Sequence, residues 1–236
     1  VPKEVVLDTI PRDVRKVGLV GAAVSDHPRI QEIVGELADR GTQVGLSSLR
    51  PDRLKDEFVQ TLRRAGYRTL TTAPDGTSQR LRDMIGRRGR EPHYIAAAES
   101  AKRHGMDRMK LYLMVGLPTE TDDDIDECAR FVSELSRILP VALGIAAFCA
   151  KKNTPLDGMP FAGIDVVERR LKRLRAGLRG RADVPATRTR WAWLEYVLTQ
   201  GTAAEGRAVL DAVRAGGRFA DYRRAFEALG HRHDGH

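Results

Sequence analysis

The sequence predicts an α/β fold built on parallel strands. Three observations predict it. Short apolar runs alternate with helical stripes, the connections between them are only a few residues long, and Gly, Pro or Asp marks the end of most runs. Strand–helix alternation with short connections forces parallel pairing and right-handed crossovers.

The elements follow in order. Pro2 near a first helical turn, with Val5, Val6 and Ile10 on one side, predicts a helix within residues 2–15 that Pro11 breaks. Lys16 to Val24 is nearly all apolar, the pattern of a strand buried on both faces of a parallel sheet. Ser25-Asp26-His27-Pro28 starts a helix with a cap and a proline, Ile30, Ile33, Val34 and Leu37 give it a stripe, and Gly41 closes it. The unit then repeats. Residues 43–48 form a strand, Leu49-Arg50-Pro51-Asp52 a corner, and Leu54, Phe58, Leu62 and Ala65 a helix ending at Gly66. Residues 67–72 form the next strand, Ala73-Pro74-Asp75-Gly76 its corner, and Leu81, Met84 and Ile85 a helix broken at Gly86. A further helix spans about 92–104. Residues 109–115 are the fourth strand, 120–139 its helix, and 141–148 the fifth strand.

After Phe148 the character changes. A Pro/Gly-bearing loop leads to Val167, Leu171, Leu174 and Leu178, an amphipathic stripe with a basic outer face. Two more helical patterns cover about 191–200 and 203–215, and residues 231–236 read as frayed. The expected division is a β/α body over 1–160 and a helical C-terminal extension over 161–236. About five strands are too few for a closed eight-stranded barrel. No Gly-x-Gly-x-x-Gly follows the first strand, which weakens a dinucleotide site. An open doubly wound sheet and part of a barrel both remain compatible with the pattern.

Composition narrows the classes. The chain has 236 residues, 42% of them hydrophobic, enough for a sizeable core. No apolar run reaches the roughly 18 residues of a membrane span, so no membrane partner is expected. The start at Val1-Pro2-Lys3-Glu4 shows no secretory leader and predicts a portion of a longer protein. Two cysteines, Cys128 and Cys149, give neither a disulfide framework nor a metal spacing, and fit a reducing, cytoplasmic setting. The net charge of +8 favours acidic partners.

The corner Lys110-Leu111-Tyr112-Leu113-Met114-Val115-Gly116-Leu117-Pro118-Thr119-Glu120-Thr121 is the most telling string. A strand ends at Gly-Leu-Pro and a helix with acidic residues begins, the place where ligands of open α/β sheets bind. With it, in order, stand Gly18-Leu19-Val20-Gly21-Ala22-Ala23-Val24-Ser25-Asp26-His27-Pro28, Ser47-Ser48-Leu49-Arg50-Pro51-Asp52, the 69–82 string around Ala73-Pro74-Asp75-Gly76-Thr77-Ser78, Phe148-Cys149-Ala150-Lys151-Lys152-Asn153-Thr154-Pro155, and Arg190-Trp191-Ala192-Trp193. Together, over roughly residues 1–227, they resemble a radical S-adenosylmethionine family whose members often carry a cobalamin-binding domain.

The resemblance implies a partial (β/α) barrel, with these strands as the second to sixth of six. It implies S-adenosylmethionine and a 4Fe-4S cluster as cofactors, possible use of cobalamin through another domain, and chemistry by a 5′-deoxyadenosyl radical or by cobalamin-dependent methyl transfer on a small-molecule or RNA substrate. The first strand and its Cys-x-x-x-Cys-x-x-Cys loop are absent here, so cluster ligands would come from an upstream segment, and this chain alone is expected to be inactive. Asp75 stands where relatives usually have Glu.

Residue by residue, the resemblance implies cofactor contacts at Gly21, Ala22 and Ala23, at Ser48 and Arg50, at Asp75, and at Val115, Gly116 and Leu117. No catalytic residue and no metal ligand is assigned. Simpler readings stand beside these. Gly21 to Ala23 suit close strand–helix packing. Arg50 suits an ion pair with Asp52 or Asp56. Asp75 suits a helix cap over Thr77 and Ser78, and Val115 to Leu117 a core strand end. The acids Glu120, Asp122, Asp123, Asp124 and Asp126 suit the helix dipole. Arg80 and Arg82 read as helix-face residues, though Arg82 can reach inward. His27, His93 and Tyr112 are weak acid–base candidates. Cys149 beside a basic pair is a candidate low-pKa thiol, with a core role the simpler reading. Trp191 and Trp193 are expected to anchor the tail. A basic module binding RNA or another anion is the alternative function.

Overall fold

The computed structural model describes residues 1–21, 24–185 and 187–234. Helix α1 (Lys3–Asp8) precedes strand β1 (Lys16–Leu19). A single 3₁₀ turn at Val24–Asp26 leads to α2 (Ile30–Asp39), so this helix begins after the Ser-Asp-His-Pro string rather than in it. Then come β2 (Gln43–Leu46), a 3₁₀ turn at Pro51–Arg53, α3 (Asp56–Arg64), β3 (Thr69–Asp75), α4 (Gln79–Met84) and α5 (Glu91–Arg103). Strand β4 (Arg108–Val115), α6 (Asp122–Ile138), β5 (Val141–Ala147) and α7 (Ile164–Leu178) follow. The chain continues through β6 (Ala182–Asp183), α8 (Thr189–Gln200), α9 (Ala203–Arg214) and α10 (Phe219–Glu227).

Every described strand pair is parallel. β1 pairs with β2, and β3, β4, β5 and β6 form a second sheet in that order. A parallel bridge between Leu49 and Thr72 joins the two, and the Tyr67 hydroxyl accepts from the Leu46 N–H where ladder bonds would otherwise run. Sequence neighbours are thus spatial neighbours throughout, with no reversal of order. A doubly wound sheet reverses; an arc of a barrel does not. The fold is an open arc of a β/α barrel.

Alternation on β4 shows how the arc is filled. Met109, Leu111, Leu113 and Val115 are buried, packed in one continuous core with Leu70, Ile125, Val132, Leu135, Leu171 and Leu174. The other face carries Arg108, Lys110, Tyr112 and Met114, which are exposed or half-buried. The helices therefore cover the convex side and leave the concave side largely open.

Strand β1 departs from expectation. It is buried on neither face, and Val20 just beyond it is 96% exposed. The physical reason is its position: among the described residues it pairs with β2 alone, and no strand lies on its other edge.

The C-terminal part departs too. β6 and α10 lie in stretches where the sequence shows no strand and no third helix. Residues 231–233 are packed, not frayed: the Ile164 N–H donates to the His233 carbonyl at 3.1 Å, and Trp193 Nε1 donates to the Arg232 carbonyl at 3.0 Å. His231 Nε2 lies 2.8 Å from Glu205, which also closes the capping box of α9 with Thr202. His231 first, then the Thr202 backbone, pull the Glu205 carboxyl from its ordinary 4.5 down to about 2. A depressed carboxylate stabilises the fold above its unfolded pKa and loses that contribution as pH falls through the folded one. The α9–tail contact is expected to weaken between pH 4.5 and about 2. Tryptophan emission followed through that window checks it, and Glu205→Gln should flatten the response.

Candidate functional site

The corner after β2 is built around buried Leu49, which seats the turn on the core. This aims Arg50 across the strand ends. Its fork meets Asp52 at 2.6 and 3.3 Å, and Nη1 reaches Asp26 Oδ2 at 3.1 Å. Asp52 is thus the partner the simpler reading named; Asp56 instead joins Ser100 and His104 on the α3–α5 contact. The Arg50 hydrogen bonds hold the Asp52 carboxyl below its usual range. Asp26 keeps its other oxygen, Oδ1, buried with no partner among the described residues.

These groups line a cavity of about 270 Å³ between the ends of β2 and β3, which Ser48, Arg88 and Tyr94 also line. Burial pushes the Tyr94 phenol up to about 12, so it stays protonated. The cavity therefore offers guanidinium donors and carboxylates, with the unpaired Asp26 Oδ1 buried at its edge. Such a set suits a zwitterion better than a simple anion.

Asp75 does not cap α4. Ser78 does, accepting from the Leu81 N–H. Asp75 sits at φ +61° beyond a bulge in β3, a conformation its short polar side chain tolerates better than most. It is ion-paired to Arg87 of the cavity wall. Burial raises its carboxyl pKa against the pull of that guanidinium. Ser48, Arg50 and, through Arg87, Asp75 are therefore brought together.

Val115, Gly116 and Leu117 lie at the next corner, away from this cavity. Gly116 has φ +90°, and a Cβ there would stand 3.1 Å from Ala162 and 3.2 Å from Val167. Its N–H donates to Glu120 Oε2 at 2.6 Å, so that amide is committed. Gly21 lines a different, mostly apolar hollow of about 580 Å³ beside β1, which Asp26 also borders. Ala22 and Ala23 lie outside the described residues.

Glu120 was hidden in the acidic run. Only Asp122, Asp123 and Asp124 occupy the first turn of α6, where the dipole account holds. Glu120 precedes the helix with a fully buried side chain. It accepts from Thr77 Oγ1 at 2.7 Å, from Gly116, and from Arg170 Nη1 at 3.1 Å, while Arg170 also donates to its backbone carbonyl. Burial raises its pKa, opposed by those bonds. One carboxylate thus ties the loops after β3 and β4 to α7. The outer face of α7 is correspondingly less free than its charge suggests, because Arg173 pairs with Asp122 and Asp126.

Arg82 is 1% exposed and reaches inward, over the Phe131 ring and 3.8 Å from both Glu91 and Glu127. Arg80 stays at the surface and binds Asp124 and the Thr119 carbonyl. His93 accepts from the Arg90 N–H in a helix cap, and His27 contacts the Val1 carbonyl, so both have structural uses. Cys149 is no low-pKa thiol. It lies 3.1 Å from the Ala192 carbonyl, and burial pushes it up to about 11. Cys128 is buried in α6 and pushed up to about 12. Among the described residues no three His, Cys, Asp or Glu side chains cluster to hold a metal ion, and no helix is long and apolar enough to cross a membrane.

Comparison with known proteins agrees with the resemblance. The family model for the Radical SAM superfamily matches residues 2–132. An uncharacterized protein of Methanocaldococcus jannaschii is 37% identical over 145 residues, 61% of this chain and 32% of that protein. The chain thus spans about a third of the length of that curated relative. Coproporphyrinogen III oxidase (HemN) from Escherichia coli, described as a radical SAM enzyme, is similar at a TM-score of 0.47 with 14% identity, over 80% of this chain and 41% of that one.

Proposed function

This chain belongs to the Radical SAM superfamily, and on that premise we propose that it forms the S-adenosylmethionine cradle of a larger enzyme, as its second-to-sixth strand portion. One observation carries the reading: the cavity at the ends of β2 and β3, where the Arg50 fork stands beside the orphaned Asp26 Oδ1. A methionyl group has a carboxylate for the first and an ammonium for the second. Arg50 and Ser48 would hold the carboxylate, and Asp26 the ammonium, by charge-assisted hydrogen bonds. Asp75 would act through Arg87, by fixing the wall, and Glu120 by fixing the Gly116–Leu117 corner.

The residues present do not fit the iron–sulfur cluster, since both thiols are kept protonated by burial and lie on separate elements. The cluster ligands belong to another segment of the parent protein, whose strand the free edge of β1 would pair. When bound beside such a cluster, S-adenosylmethionine supplies a 5′-deoxyadenosyl radical. The part of this chain is to bind, orient and exclude water. A cobalamin-dependent methyl transfer would need the same grip on the amino-acid end.

Equilibrium dialysis with labelled S-adenosylmethionine tests the cradle. Wild type should bind saturably, and Asp26→Asn and Arg50→Ala should each weaken binding about tenfold, the loss of one charge-assisted contact. No saturable binding, or equal binding by all three, overturns it.

A further inference from the structure

The concave face of β3, β4 and β5 holds a feature that the cofactor cavity does not use. Register places Tyr112 opposite Gly144 and Lys110 opposite Thr71 on one side and Ala142 on the other. The Tyr112 ring lies down on Gly144: a Cβ at that position would fall 2.6 Å from Cδ1 of the ring. Lys110 Nζ stands 4.7 Å from the centre of the same ring. Tyr112 is nonetheless 42% exposed, so the pair faces open space.

Lys110 makes no ion pair and no side-chain hydrogen bond among the described residues, in a chain where most basic groups near carboxylates are paired. The one acid of the neighbouring strand β3, Asp75, is committed to Arg87. A lysine that served only solubility would extend into water. This one is held back over an aromatic plate, on a floor of Ala142, Gly144 and Ala146 that leaves room above it.

We propose that this concave face is a substrate subsite for an anionic group, a carboxylate or a phosphate, with Lys110 as its anchor and Tyr112 as the plate that positions the ammonium. The subsite rests on the cradle reading, because β4 and β5 continue the arc from β3, whose end borders the cofactor cavity. Tyr112 is three residues before Val115, about 10 Å down β4 from the strand end at the rise of a strand. A substrate anchored there by its acidic end can extend its other end toward the strand ends, the side of the arc on which the β2–β3 cavity lies.

The test labels the lysines of the full chain with ¹³C-methyl groups and follows them by NMR. The Lys110 signal is assigned by its loss in Lys110→Met. Inorganic phosphate and acetate are titrated separately at constant ionic strength. The Lys110 signal is expected to shift saturably with an apparent affinity about tenfold tighter than that of Lys172, an exposed lysine of α7. Tyr112→Ala should bring Lys110 down to the Lys172 response. Saturation by phosphate identifies a phosphorylated substrate, and by acetate a carboxylated one. A Lys110 response that tracks Lys172 with both anions, or that survives Tyr112→Ala unchanged, overturns the subsite. The titration contains no S-adenosylmethionine, so its failure and the failure of the dialysis experiment are read apart.

Discussion

Glu120→Ala should cost about 3 kcal/mol of folding stability, because it empties a fully buried carboxylate site and leaves the largely covered Arg170 guanidinium without its partner. Arg170 would lose its Oε2 partner, and the Gly116 N–H and Thr77 hydroxyl would lose theirs in the same step. Neither donor has water at hand, since Gly116 and Thr77 are both buried. Glu120→Gln keeps an acceptor of nearly the same shape and should recover a good part of the loss. Urea unfolding of the three proteins checks the order. A loss below about 1 kcal/mol for Ala would mean that the tie behaves like a surface ion pair. The substitution should also disturb the Gly116–Leu117 corner, because that amide has no other acceptor among the described residues.

The second large effect concerns the two tryptophans. Trp193→Ala should destabilise by about 3–5 kcal/mol, the usual range for emptying a buried large aromatic site. Its ring is fully buried, meets Phe219, Phe226 and His233 edge to face, and bonds the Arg232 carbonyl. Trp191, two residues earlier on the same helix, is 47% exposed and touches Tyr222 alone among rings. Trp191→Ala should cost less than about 1 kcal/mol. Thermal unfolding distinguishes the two. Equal losses would mean that both hold the tail. The sequence names both as anchors, but one anchor carries the packing.

What could be read before the structure was the part written in short-range chemistry. β3, β4 and β5 are legible because each apolar run ends at a residue that turns the chain, Pro74, Gly116 or Phe148 before a Pro/Gly loop. β6 is not legible: two residues, Ala182 and Asp183, carry no periodicity, and it is pairing with Val141 and Ala142 that makes them a strand. Helix α10 has Phe219, Tyr222 and Phe226 at helical spacing, but four arginines between 214 and 224 drown the signal. The same division holds for the site. Ser48 and Arg50 are visible at a strand-end corner. The Asp26–Arg50 pair spans two corners, and nothing local announces it. Glu120 is one acid among several until α7 brings Arg170 over it. Arg82 looks like a helix-face residue because its partners, Glu91, Glu127 and Phe131, come from two other helices.

The unreversed strand order has a consequence for how this chain is made. Each strand docks on the one synthesised just before it, after a crossover of one or two helices, so no strand must wait for a distant partner to emerge. The ribosome can therefore release this fold rung by rung, with every completed rung serving as the template for the next. The helix that follows each strand covers the convex face of the rung, and the next strand pairs its edge. Growth stops at β6, whose two residues offer too little backbone to recruit another strand.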